Sequence, residues 1–198
     1  MKSILISIKP RFVADILNGK KTIEIRKTCP KNFKGWVYIY CTKARPYLYR
    51  VNDDDLFELC DLRKPHCEEV WEKDYNELNG KVVARFWCDE VEEIERRRLF
   101  DEPFLPSYRC KGEETKYSFY SVQVRACLSA EEVDRYLKNK GGYAIHISKL
   151  EIFDKPKEVG DFFHAKYKRF DDFNGHYNEF CVGNKLTRAP QSWGYVEV

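Results

Sequence analysis

The sequence predicts a β-rich α+β fold in one domain, on three observations. The chain opens as strand, helix, strand. Three later stretches alternate apolar and polar residues with the period of a strand, and a capping box near residue 130 announces a helix. Ser3 to Ile8 is apolar and rich in isoleucine, as a buried strand requires. Phe12, Val13, Ile16 and Leu17 then recur at helical spacing, and Gly19 is placed to cap that helix at its C-terminal end. From Thr22 to Arg26 the period becomes two: Ile23 and Ile25 face one side, and Thr22, Glu24 and Arg26 the other. Lys34 to Thr42 and Lys81 to Ile94 read as long strands, the second with Val82, Ala84, Phe86 and Cys88 on one parity and entered through the Asn79-Gly80 turn. Asp54 to Leu78 has mixed apolar and acidic spacing, with Val70 and Trp71 as anchors, and reads as helix or irregular insertion. Ser129-Ala130-Glu131-Glu132 is a capping box, predicting a helix from Ala130 to about Asn139 that stops at Gly141-Gly142. Tyr143 to Phe153 follows as a strand broken by Asp154-Lys155-Pro156. A loop-rich stretch from Gly160 to Thr187 precedes a last strand, Trp193 to Val198.

Composition sets the outer limits. A chain of 198 residues with 43% hydrophobic and 15% aromatic content buries a sizeable core, which excludes a disordered chain. No apolar run reaches the length of a membrane span and the first residues enter a strand without a signal-like segment, so a cytoplasmic protein without membrane contact is expected. The eight cysteines are scattered and form no CxxC pair. Free thiols are expected, with Cys41, Cys88 and Cys127 acting as small buried hydrophobes.

The net charge of +3 conceals an asymmetry. Residues 1 to 50 hold twelve Lys and Arg against two acids, a balance of +10, whereas residues 51 to 100 hold eight against fifteen, a balance of −7. A basic N-terminal lobe can engage a phosphate backbone, unless the acidic stretch folds over it and neutralises it.

That lobe carries the densest chemistry of the chain. Gly19-Lys20-Lys21-Thr22-Ile23-Glu24-Ile25-Arg26 crowds four charges onto a turn and a short strand, with Glu24 and Arg26 as same-face neighbours and Lys21 free to swing over either face. By spacing alone, a solvated strand face with weak ion pairs accounts for these residues better than a site does.

The same stretch resembles the GxKxxExR signature of the ASCH domain, a PUA-like β-barrel family associated with RNA, through Gly19, Lys21, Glu24 and Arg26. The resemblance extends to Ile4–Pro10, to Trp36–Thr42 and to the closing Pro190–Val196. It implies a PUA-like barrel over residues 1 to 198, with flanking helices and insertions at about 43–79 and 100–128. It also implies a cleft near the signature in which Lys21 and Arg26 contact phosphate or base and Glu24 accepts from a base edge or positions the lysine. Lys9 and Thr42, at strand ends, are expected as neighbours. Tyr38, Tyr40, Tyr143, Trp193 and Tyr195 lie on strands that would border such a cleft; ordinary strand-core packing is the commoner role for any one of them, and Tyr143 and Trp193 are the candidates for stacking surfaces.

The expected ligand is single-stranded RNA or a modified nucleoside. Hydrolysis of RNA or of an acylated nucleoside by Lys21 and Glu24 is the alternative, and a protein-interaction scaffold with a closed cleft is a third. The family includes amidohydrolases whose threonine nucleophile stands where this chain has Glu24. That departure argues against their acyl-enzyme route, although Thr22 lies on the same face. No cofactor is expected: GxSxG, P-loop and GxGxxG motifs are absent from the sequence. Cys60, His66 and Cys67 match no zinc spacing, and His146, His164 and His176 read as structural or surface histidines. Lys21→Ala is expected to weaken binding with little loss of stability, and Ile23→Ala to cost about 2–5 kcal/mol.

Overall fold

A computed structural model describes residues 3–51, 56–61, 75–96, 108–111, 119–138, 140–165, 169–171, 176–178 and 184–197. The opening is strand, helix, strand: β1 (Ser3–Ile8), α1 (Pro10–Leu17) and β2 (Ile23–Arg26). Pro10 starts the helix, where its missing N–H costs nothing, and Asn18 caps it at the other end. Gly19 follows at φ +70°. The Lys20 N–H reaches the Asp15 carbonyl and the Gly19 N–H that of Ile16, a Schellman arrangement that turns the chain sharply into β2.

β3 (Gly35–Cys41) and β4 (Tyr47–Val51) follow, then β5 (Leu56–Cys60), β6 (Tyr75–Glu77), β7 (Val82–Cys88), β8 (Val91–Arg96) and β9 (Tyr108–Cys110). Next come α2 (Phe119–Arg125), α3 (Ala130–Leu137), β10 (Gly142–His146) and β11 (Ser148–Lys157). The short strands β12 (Phe163–His164), β13 (Arg169–Asp171) and β14 (His176–Asn178) and the closing β15 (Trp193–Glu197) complete the described chain. The fold is β-rich α+β, as predicted.

A six-stranded sheet runs β11-β7-β3-β1-β15-β12 and a four-stranded sheet β2-β10-β8-β9. β1 lies at the centre of the first, parallel to β3 and antiparallel to β15. Both of its faces are buried: Ile4, Ile6 and Ile8 enter the main core, and Leu5 joins Tyr38, Val82, Phe162, Leu186 and Val196 on the other side. The main core also takes Val13, Ile16 and Leu17 of α1 and Ile145 of β10. A separate core joins Ile23, Ile25 and Ala144 to Val122, Val133 and Leu137 of the two later helices.

Two stretches read as single strands each cross from one sheet to the other. Lys81 to Ile94 divides at Asp89-Glu90 into β7 and β8, and Tyr143 to Phe153 divides at Ile147 into β10 and β11. Because β7 pairs with β11 and β8 with β10, the two crossings lie side by side and wrap the sheets around the main core. Among the described residues no ladder closes these sheets into one ring.

Several boundaries differ from expectation for identifiable reasons. β11 runs through Pro156 because it is the edge of its sheet, where a missing N–H breaks no ladder. The 130s helix has the predicted capping box of Ser129 and Glu132, but it ends at Lys138, which takes the left-handed conformation at φ 51° before either glycine is reached. The stretch from Asp54 to Leu78 contains strands, not helix, where it is described: β5 and β6 flank β4 in a three-stranded sheet. Val70, Trp71, His66, Cys67, Cys181 and the acidic run Asp53–Asp55 lie outside the described residues. So do Asn139 and the side chain of His176. α2 was not anticipated. The turn at Asn79-Gly80 forms as expected, with the Asn79 side chain accepting from the Leu48 N–H and donating to the Ala44 carbonyl.

Candidate nucleic-acid interface

Lys21, Glu24 and Arg26 do not form a solvated strand face. They are 2%, 6% and 6% exposed, and all four residues of β2 are buried. The reason is the double packing of β2: Ile23 and Ile25 point into the core under α2 and α3, and the opposite face turns towards the six-stranded sheet. The sharp turn after α1 sets Lys21 beside that second face. Its Nζ lies 3.3 Å from Glu24 Oε2, donates to the Ala126 carbonyl at 2.6 Å and sits 5.3 Å from the centre of the Phe12 ring. Arg26 Nη2 donates to the Ser7 carbonyl at 2.6 Å, and Nε lies 3.0 Å from Glu24 Oε1. That contact is Coulombic without hydrogen-bond alignment, and Nε is left as a buried donor with no acceptor among the described residues. One carboxylate thus stands between two buried cations, and the three together carry one positive charge.

The cluster forms part of the wall of a cleft of about 770 Å³. The described wall includes Lys9, Phe12, Thr42, Leu128 and Tyr136, with Gln191 and Ser192 from the approach to β15. Ser7 fixes that approach: its hydroxyl donates to the Pro190 carbonyl, and its N–H to that of Ser192. Lys9, Lys27 and Arg135 supply exposed positive charge at the rim, while the acid there, Glu132, is taken by Arg11 at 3.0 Å. The backbone N–H of Ser129, together with Arg11, holds the Glu132 carboxyl below the ordinary range despite partial burial.

Five of the seven expected site residues therefore share one cleft: Lys9, Lys21, Glu24, Arg26 and Thr42. Tyr143 and Trp193 do not line it. Tyr143 pairs with Arg26 across the β2–β10 ladder, and Trp193 donates from Nε1 to Thr28 Oγ1 and stacks edge-on against Tyr195. Tyr38 packs against Phe162 on the far side of its sheet. The aromatics that do line the cleft are Phe12 and Tyr136. Burial pushes the Tyr136 hydroxyl up, and hydrogen bonds with Arg26 and the Lys27 backbone partly oppose this. Phe12 was visible as part of an amphipathic helix but was read as core. Tyr136 belongs to a helix whose apolar residues gave no sign that its exposed side closes a cleft. Thr22, the alternative nucleophile, accepts from Arg125 Nε at 3.1 Å and is absent from the cleft wall.

The opposite face of the same ladder carries a second charged cluster, which spacing did not reveal. His146 is buried, with Nε2 2.7 Å from Glu92 Oε1 and Nδ1 3.6 Å from Glu90 Oε2. Among the described residues this is the group that could hold a metal ion. A ring with one carboxylate on each nitrogen is a clamp between charges, however, and converges poorly on a single point. Burial pushes the Glu92 carboxyl up, but the His146 ring, the Cys110 thiol and Arg125 more than offset it, so it lies below the ordinary carboxylate value. Burial raises the thiols of Cys41, Cys88 and Cys110 to about 12 and that of Cys29 to about 11. The six described cysteines are free; Cys127, expected to be buried, is half-exposed in a turn at φ 51°.

No known family model and no curated protein matches the sequence. Solved structures do. ASCH from Zymomonas mobilis superposes with a TM-score of 0.51 at 14% identity, covering 99% of this chain and 88% of that one. Two point variants of the Zymomonas protein match at TM-scores of 0.47 and 0.48, with 13% and 12% identity, 100% and 99% of this chain and 91% and 89% of theirs. The chain has an ASCH-like fold.

Proposed function

We propose that the cleft binds single-stranded RNA or a modified nucleoside, with one base or nucleoside seated over Lys21, Glu24 and Arg26. The observation that carries this reading is a cluster of two cations and one carboxylate, Lys21, Glu24 and Arg26, in the wall of a cleft of about 770 Å³ whose rim carries the exposed cations Lys9, Lys27 and Arg135. The two cations suit a ligand offering a carbonyl, ring-nitrogen or phosphate acceptor, and Glu24 is the one acceptor in the cluster for a base N–H. Phe12 and Tyr136 provide π-faces of the kind on which an unpaired base stacks. Lys9, Lys27 and Arg135 at the rim suit a phosphodiester backbone. Among the described residues no helix is long and apolar enough to cross a membrane.

Binding is favoured over hydrolysis by how Lys21 is held. Its ammonium is engaged by the Ala126 carbonyl, Glu24 and the Phe12 ring, which makes it a fixed cation with no free path to a reacting atom. Direct titration of a single-stranded RNA and of its duplex against the wild type and Tyr136→Ala tests the reading. The single strand binds more tightly, and loss of the ring costs roughly 1–3 kcal/mol of affinity if a base stacks there. Equal affinity for duplex and single strand contradicts a base-holding cleft. RNA shortened only when Glu24 is intact moves the conclusion to hydrolysis.

A further inference from the structure

A second hollow of about 540 Å³ adjoins the cleft, and the two share Ser7, Thr42 and Gln191 as a common wall. The partition is low in bulk and polar. Ser7 is spent on Pro190, and Thr42, common to both hollows, has its Oγ1 buried with no hydrogen-bond partner among the described residues. The charges of the second hollow leave a positive surplus: Glu158 is taken by Lys81, and Lys43 and Arg188 remain as exposed cations. Lys43 lies across Gly80, where an added Cβ would meet its Cε at 3.0 Å, so the glycine makes room for the lysine along the hollow's edge. Tyr40 contributes a half-buried ring. Each hollow has the volume of a small-ligand site. A single nucleoside seated on the Lys21 cluster leaves the second one empty.

We infer that the second hollow is a subsite for the neighbouring nucleotide of the same single strand, so that the ligand is an oligonucleotide and not a free nucleoside. The inference rests on the RNA reading of the cleft. The strand passes over the Ser7–Thr42–Gln191 wall that the two hollows share. Its next phosphate meets Lys43 and Arg188, and its next base meets Tyr40.

The test is calorimetric titration of uridine 5′-monophosphate, adenosine 5′-monophosphate, tetrauridylate and tetraadenylate into the wild type and into the double variant Lys43→Ala/Arg188→Ala. Both residues are exposed, so an unchanged melting temperature is expected and serves as the folding control. The better tetramer binds about tenfold more tightly than its monophosphate, as a second stacked base predicts. The double variant removes that advantage, leaves the monophosphate within about twofold, and lowers the salt slope of tetramer binding by about 0.7, the value for one neutralised single-strand phosphate. Equal affinity for monomer and tetramer, or an advantage that survives the double variant, overturns the subsite and leaves the cleft standing. Absence of binding by all four probes overturns both.

Discussion

Two charged clusters lie on opposite faces of the ladder that β2 and β10 form, and they differ in whether a cleft reaches them. Glu90, Glu92 and His146 lie on the helix side, beside Cys110 and Arg125, and none of the three lines either hollow. Lys21, Glu24 and Arg26 lie on the other side and form part of the wall of a cleft. His146 is as buried as the Lys21 cluster and has Glu92 at 2.7 Å, while Glu90 is partly exposed, so a buried charged group with a close partner does not by itself mark a site. Access does.

The comparison breaks most readily at Glu24. Its removal leaves two buried cations facing each other, so Glu24→Ala is expected to lower unfolding free energy by about 3–5 kcal/mol in urea. Losses under 1 kcal/mol would place the cluster in water. Lys21→Ala falls in the same range, a correction to the small cost expected while the residue was taken as exposed, because its ammonium has three buried partners. Ile23→Ala, on the helix side, costs about 2–5 kcal/mol in the same assay, leaves the cleft's charges in place and spares RNA affinity in the folded fraction.

Acid sharpens the difference. The folded-state pKa of Glu92 is depressed, so its contribution is fully present above the ordinary carboxylate pKa and is lost as pH falls through the lower folded value. Urea midpoints measured from pH 7 downward should therefore fall less steeply in Glu92→Gln than in the wild type within that acid window. Parallel curves would show that Glu92 titrates no differently when folded. The smallest effects belong to the surface: Ser129→Ala removes a helix cap worth about 0.5–2 kcal/mol, and Arg11→Ala an exposed pair worth under about 1 kcal/mol.

The local signals were legible where a few consecutive residues determine them. The helix–glycine–strand turn at Gly19, the capping box at Ser129 and the parity of β2 all follow from short-range chemistry. The crossings at Asp89-Glu90 and Ile147 were not, because a strand that changes sheets keeps its period of two, and only the partner reveals the change. The same limit hid half of the site. Lys21, Glu24 and Arg26 are near in sequence and were readable, with Lys9 and Thr42 at the ends of adjoining strands. Tyr136 arrives from a helix more than a hundred residues away, and the pairing of His146 with Glu92 depends on the register of β10 against β8. Strand position alone points to Tyr143 and Trp193, and packing puts neither on the cleft wall.

The most direct test of the central claim is fluorescence anisotropy of a labelled single-stranded RNA across a salt series. It compares the wild type, Lys21→Met confirmed as folded by its melting transition, and the rim variant Lys27→Ala/Arg135→Ala. The account predicts salt-sensitive binding by the wild type, a slope reduced by about 1.4 in the rim variant, and loss of binding in Lys21→Met. No binding by the wild type at low salt, or equal binding by all three proteins, would contradict it.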